Sequence, residues 1–75
     1  MLLERKEPKD YMNGKALIKI MKNYGWVAGR TSGSHTILIK EGCRPIPVPV
    51  HGLKDLQAGT LRAICRQAGI PYPPK

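Results

Sequence analysis

The sequence predicts a two-layer α+β domain, with two helices covering one face of a three-stranded antiparallel sheet in the order α-β-β-β-α. Three observations carry this. Apolar residues recur at helical spacing towards each end of the chain. The stretch between them alternates with period two and is cut by small polar and glycine-containing turns. Seventy-five residues, 41% of them hydrophobic, suffice for one folded domain and no more.

The first helix is expected over 14–24. Asn13 supplies a capping oxygen, and Leu17, Ile18, Met21 and Tyr24 form the buried stripe. Lys15, Lys19 and Lys22 share another face, and Gly25 can adopt the left-handed conformation that ends a helix. Residues 1–12 carry several charges and no periodicity, which predicts a flexible lead-in ahead of a domain over 13–70. Residues 71–75 form a proline-rich tail.

A first strand is expected over 26–31, followed by a tight connection through Thr31, Ser32, Gly33 and Ser34. In the second, over 35–40, His35, Ile37 and Ile39 fall on one side and Thr36, Leu38 and Lys40 on the other. Residues 41–43 supply the next turn. The third strand, 44–50, contains Pro45, Pro47 and Pro49. Proline has no backbone N–H, but alternate amides of a strand point to opposite neighbours. A proline at every second position therefore blanks one side only and leaves Ile46, Val48 and Val50 to pair on the other. That pattern describes an edge strand protected from further pairing.

Thr60 is a candidate N-cap for the second helix, which carries Leu61, Ile64, Cys65 and Ala68 as its apolar stripe and exposes Arg62 and Arg66. Gly69 closes it, Ile70 can fold back onto its last turn, and Pro71 forbids continuation.

Thirteen Lys and Arg against five Asp and Glu give a formal charge of +8. Such a charge attracts polyanions, whether nucleic acid, an anionic surface or an acidic protein. No apolar run approaches the ~20 residues of a membrane span, and the opening residues lack a signal-peptide pattern. Cys43 and Cys65 stand outside any CxxC pattern and read as small hydrophobes of a reducing compartment, so the expected location is cytoplasmic. Glu4, Glu7, Asp10, Glu41 and Asp55 form no cluster with the histidines at ligand spacing, so no metal or other cofactor is expected.

The ordered set Asn13–Gly14–Lys15, Leu17–Ile18, Gly25–Trp26 and Gly33–Ser34–His35 resembles the opening half of the HicA toxins. The run Val48–Pro49–Val50–His51–Gly52, with Lys54 and Leu56, then Gly59–Thr60–Leu61–Arg62 and Gln67–Ala68–Gly69, resembles their closing half. The resemblance spans roughly residues 13–70. It implies a fold like a double-stranded-RNA-binding domain. It further implies metal-independent cleavage of messenger RNA, single-stranded or structured, with the Gly-Ser-His histidine essential, and neutralisation by a cognate HicB-type antitoxin. That histidine maps onto His35.

RNA carries its own nucleophile, the ribose 2′-hydroxyl. Cleavage needs a base for that proton, an acid for the departing 5′-oxygen, and positive charge around the phosphorane. Imidazole, with an ordinary pKa near 6.5, suits both proton transfers. The chain has two histidines, His35 and His51. Antiparallel pairing across the 41–43 turn brings the start of strand two beside the end of strand three, so His51 is a candidate second proton-transfer residue or else an exposed loop residue. Free amides at 60–62 are candidates for holding a phosphate.

Candidate RNA contacts are Lys15, Lys19, Lys22, Arg30, Ser34, Lys40, Lys54 and Arg62, with Arg30 favoured for phosphate stabilisation because it lies near the Gly-Ser-His turn. The same lysines also describe an ordinary solvated helix face. Trp26 reads as core, with a base-stacking platform as the alternative. A non-catalytic RNA-binding module of the same fold is the rival function, and a docking domain for an acidic protein is a further one.

Overall fold

A computed structural model describes residues 11–75. It contains α1 (Gly14–Lys22), β1 (Val27–Ser32), β2 (His35–Ile39), β3 (Ile46–Pro49) and α2 (Ala58–Ala68). The three strands form one antiparallel sheet in the order β1-β2-β3. Fold class and element order are those the sequence predicts.

Alternation along β2 sorts the two faces of the sheet. Leu38 is fully buried and Thr36 half-buried, and their cross-strand partners Ile46 and Val48 are also buried. These residues meet Leu17 and Met21 of α1 and Leu61, Ile64 and Cys65 of α2 in a single core. Burying each of the larger aliphatic side chains contributes about 1.5–3 kcal/mol. Opposite parity sends His35, Ile37 and Ile39 to the outer face, as the alternation requires.

Trp26, expected as the first residue of strand one, instead precedes β1 and lies in the core at 1% exposure, its indole N–H directed at the Ala68 carbonyl 3.4 Å away. That contact ties the start of the sheet to the end of α2. The expected strand at 26–31 is thereby shifted by one residue. It also bulges between Ala28 and Arg30, where any Cβ on Gly29 would collide with the Ile39 side chain.

The proline strand behaves as its spacing dictates. β3 is an edge of the sheet, with Pro47 opposite Ile37 and Pro49 opposite His35. Beyond the last rung, the Val50 N–H donates to the Ser34 carbonyl at 2.7 Å. Residues of Val50's parity thus point their polar groups at β2, and the prolines point theirs outward.

Further boundaries differ from expectation. β2 ends at Ile39 rather than Lys40, and β3 covers Ile46–Pro49 rather than 44–50, the flanking residues at each end lying outside the ladder. Residues 1–10 of the expected lead-in lie outside the described residues, but Met12, assigned to that lead-in, is buried and its carbonyl accepts the Leu56 N–H at 2.8 Å. A bridge between Asn13 and Asp55 holds the two segments side by side. Helix α1 ends at Lys22 rather than Tyr24, because residues 23–25 tighten into turns whose amides return to Ile20, Met21 and Lys22.

Helix α2 begins at Ala58, two residues before the expected cap at Thr60. Gln57 is its N-cap and makes no side-chain capping bond, so the sequence offered no polar signature there. At the other end, Gly69 adopts φ +72° and the Ile70 N–H returns to the Cys65 carbonyl, the expected stop. The tail is packed: Pro74 is buried, Tyr72 rests against the core, and the Tyr24 hydroxyl donates to the Lys75 carbonyl at 2.9 Å.

Candidate nucleic-acid interface and active site

The candidate site is assembled at one end of the sheet. Gly33 at φ +62° and Ser34 form a two-residue hairpin turn, and His35 follows as the first residue of β2. Glycine supplies the positive φ that this tight turn needs at its first central position. His35 is therefore presented at a tight hairpin, exposed on the outer face, and set across the strand pair from Pro49.

His51 lies two residues beyond Pro49 and is also exposed. Its carbonyl accepts the Lys54 N–H at 3.0 Å, closing a turn in which Gly52 has φ +60°. One shallow depression is lined by His51, Lys54, Asp55, Gln57, Thr60 and Pro49. An adjoining one is lined by His35 together with Pro49 and Thr60. The two imidazoles thus flank a common wall made of Pro49 and Thr60. Neither ring makes a hydrogen bond among the described residues, so both keep their nitrogens for other partners.

The starts of both helices reach the same end. Gly14 of α1 abuts the Pro49 carbonyl, and Thr60 sits in the first turn of α2. Neither first turn contains an acidic residue. The sequence placed the free α2 amides at 60–62. With the helix starting at Ala58, Leu61 already donates to the Gln57 carbonyl at 2.9 Å. The free donors are accordingly those of residues 58–60.

The expected basic residues divide into groups. Lys54 lines the His51 depression, and Arg30 pairs with Ile37 and so shares the outer sheet face with His35. Arg30 also borders an apolar hollow formed by Gly29, Ile37, Ile39 and Pro45. Lys15, Lys19 and Lys22 are exposed along α1, with Lys15 nearest the Pro49 end. Ser34 is exposed in the hairpin turn.

Two of the expected contacts are engaged elsewhere. The Lys40 ammonium donates to the Tyr24 carbonyl at 2.8 Å and lies 5.9 Å from the Trp26 ring centroid. It neutralises the carbonyl end of α1, and five residues of strand separate it from His35, roughly 17 Å. The Arg62 guanidinium stacks over the Tyr72 ring at 4.9 Å. Sequence reasoning missed Pro49, Thr60, Ala63 and Gln67 as walls of the depression beside His35. Thr60, Ala63 and Gln67 follow i, i+3, i+7 spacing, which marks a common helix face, but no reading of α2 alone shows what that face meets.

The family model described as the HicA toxin of bacterial toxin–antitoxin systems matches residues 14–70. The chain belongs to the HicA toxin family. A chain of a toxin–antitoxin complex from Streptococcus pneumoniae has a similar structure, at a TM-score of 0.69 and 38% sequence identity. That similarity covers 79% of this chain and 98% of the other. No curated protein sequence matches. As a HicA-family toxin, the chain carries its Gly-Ser-His segment at the hairpin described above. None of its described helices is long and apolar enough to cross a membrane.

Proposed function

We propose that this HicA-family chain is a metal-independent endoribonuclease that cleaves messenger RNA in the cytoplasm and is neutralised by a HicB-type antitoxin. The reaction is transesterification. The ribose 2′-oxygen attacks its own phosphorus, the 5′-oxygen leaves, and the products are a 2′,3′-cyclic phosphate and a 5′-hydroxyl. His35 transfers the proton in this step, and His51 is the candidate partner that handles the second proton.

The observation that carries the reading is the exposed His35 imidazole beside a two-residue hairpin turn, separated from His51 by the Pro49–Thr60 wall. Lys54 and the free amides at 58–60 offer positive charge and donors for a phosphate in the same region. Arg30, Ser34 and Lys15 add polar or cationic groups around it. The Streptococcus pneumoniae toxin–antitoxin complex supports an antitoxin partner.

The test compares the native chain with His35→Ala on messenger RNA, with 5′-hydroxyl ends mapped by sequencing. Loss of new ends with retained RNA binding and an unchanged circular dichroism spectrum is expected. Full cleavage by His35→Ala would remove that residue from the mechanism, and binding without cleavage by the native chain would leave a non-catalytic RNA-binding module.

A further inference from the structure

The His35 depression continues along the proline edge of the sheet. It measures about 330 Å³, at the small end for ligand sites, and is walled by Pro47 and Pro49 on one side and Thr60, Ala63 and Gln67 on the other. Ile46 and Gln67 also line the next hollow, which ends at Arg44 and Cys43. With the His51–Lys54 hollow at the other end, three depressions with shared walls form one trough between β3 and α2. His35 stands along it, Lys54 lies at one end and Arg44 at the other.

The polar lining of this trough is one-sided. Prolines of β3 point no N–H outward, so the strand offers only carbonyl acceptors to the trough. The Pro49 carbonyl is occupied by contact with Gly14, which leaves that of Pro47. Facing it, the Gln67 side chain is exposed and its amide makes no hydrogen bond among the described residues. An amide can donate and accept at once, the arrangement that reads a base edge. The compact proline rings and the small Ala63 leave a slot of apolar walls between these polar groups.

We propose that this trough holds the substrate strand as single-stranded RNA and seats one nucleobase next to the scissile phosphate, with Gln67 as the residue that reads its edge. This rests on the reading that His35 cleaves RNA. A donor-free strand edge favours bases bearing an exocyclic amino group, which can donate to the Pro47 carbonyl, over uracil, whose single N3–H donor is flanked by two carbonyl oxygens that meet no donor on that edge. Arg44 and Lys54 meet the flanking phosphates. Along β3 the trough spans residues 43–51, roughly 26 Å of extended chain, enough for a few nucleotides.

The test has two readouts. In the first, the native chain and Gln67→Ala cut a pool of short RNAs of randomised sequence, and the base frequencies around each new 5′-hydroxyl are compared. The native chain is expected to favour amino-bearing bases over uracil at one position beside the cut, and Gln67→Ala to flatten that preference by about fivefold or more. In the second, Ala63→Trp, which fills the slot from the exposed face of α2, is made in the His35→Ala background. Its affinity for single-stranded oligonucleotides, measured by fluorescence anisotropy, is expected to fall at least about tenfold while its melting temperature holds.

An unchanged base profile in Gln67→Ala, or undiminished binding by Ala63→Trp, overturns the proposal. So does loss of antitoxin binding by Ala63→Trp with RNA binding intact, which would assign the trough to protein. Each of these results leaves the effect of His35→Ala on cleavage untouched, so the two readings fail separately.

Discussion

The carbonyl oxygen of Pro49 presses so closely on the α-carbon of Gly14 that no side chain fits between them. This contact clamps the start of α1 to the rung on which His35 faces Pro49. Replacing Gly14 with alanine forces the two segments apart. The expected cost is about 1–3 kcal/mol, read as a lower urea midpoint, together with a loss of cleavage larger than the stability change explains. An alanine variant as stable and as active as the native chain would show that the clamp yields freely.

His51 separates the one-histidine from the two-histidine mechanism. If it handles the second proton, His51→Gln lowers the cleavage rate about 10²-fold or more and removes one limb of the pH–rate profile. If water takes that role, His51→Gln changes the rate by only a few fold and both limbs survive. Single-turnover cleavage of one defined RNA across pH distinguishes the two results.

The cations are expected to divide according to what they already touch. Lys40 is bound to the Tyr24 carbonyl and the Trp26 ring, so Lys40→Ala lowers stability by about 1 kcal/mol and leaves the salt dependence of RNA binding intact. Lys54 lines the candidate site and makes no such bond, so Lys54→Ala spares stability. It lowers the slope of log affinity against log salt by about one. Titrations at several salt concentrations, paired with thermal melts, check both halves of this expectation.

The two thiols provide a probe of packing. Cys43 is exposed, whereas Cys65 is buried and burial pushes its pKa above the ordinary thiol value. An aromatic disulfide reagent is expected to label Cys43 quickly in the folded chain and Cys65 only after unfolding. In the unfolded chain Cys65 loses its proton near the ordinary value of about 8.5, while the folded chain retains it. The contribution of its burial is present below that pH and declines as pH rises further. Cys65→Ala removes that part of the alkaline loss. Equal labelling rates for both thiols in the native protein would contradict the packing of α2.

Much of this architecture was legible because it depends on local rules. The cap at Asn13, the stop at Gly69 and the period-two prolines of β3 each impose a geometry whatever surrounds them. Strand parity grouped His35 with Ile37 and Ile39, but which face turns outward depends on the helices that cover Leu38, Ile46 and Val48. What escaped the sequence depends on tertiary partners. Gln57 caps α2 without a polar bond, so Thr60 looked like the natural start. Lys40 and Arg62 read as free cations because nothing local reveals a carbonyl or ring brought in from elsewhere in the chain. Met12 read as linker until its pairing with Leu56 was visible. The trough beside His35 arises where β3 and α2 meet, and neither segment carries a signature of it.

The indole that bridges the first strand to the last turn of α2 is the only one in the chain. Its emission therefore serves as a built-in gauge of whether the layers remain joined. Blue-shifted light from the native toxin should redden in a single step as sheet and helices come apart, so folding, antitoxin capture and variant integrity can all be followed without attaching a dye.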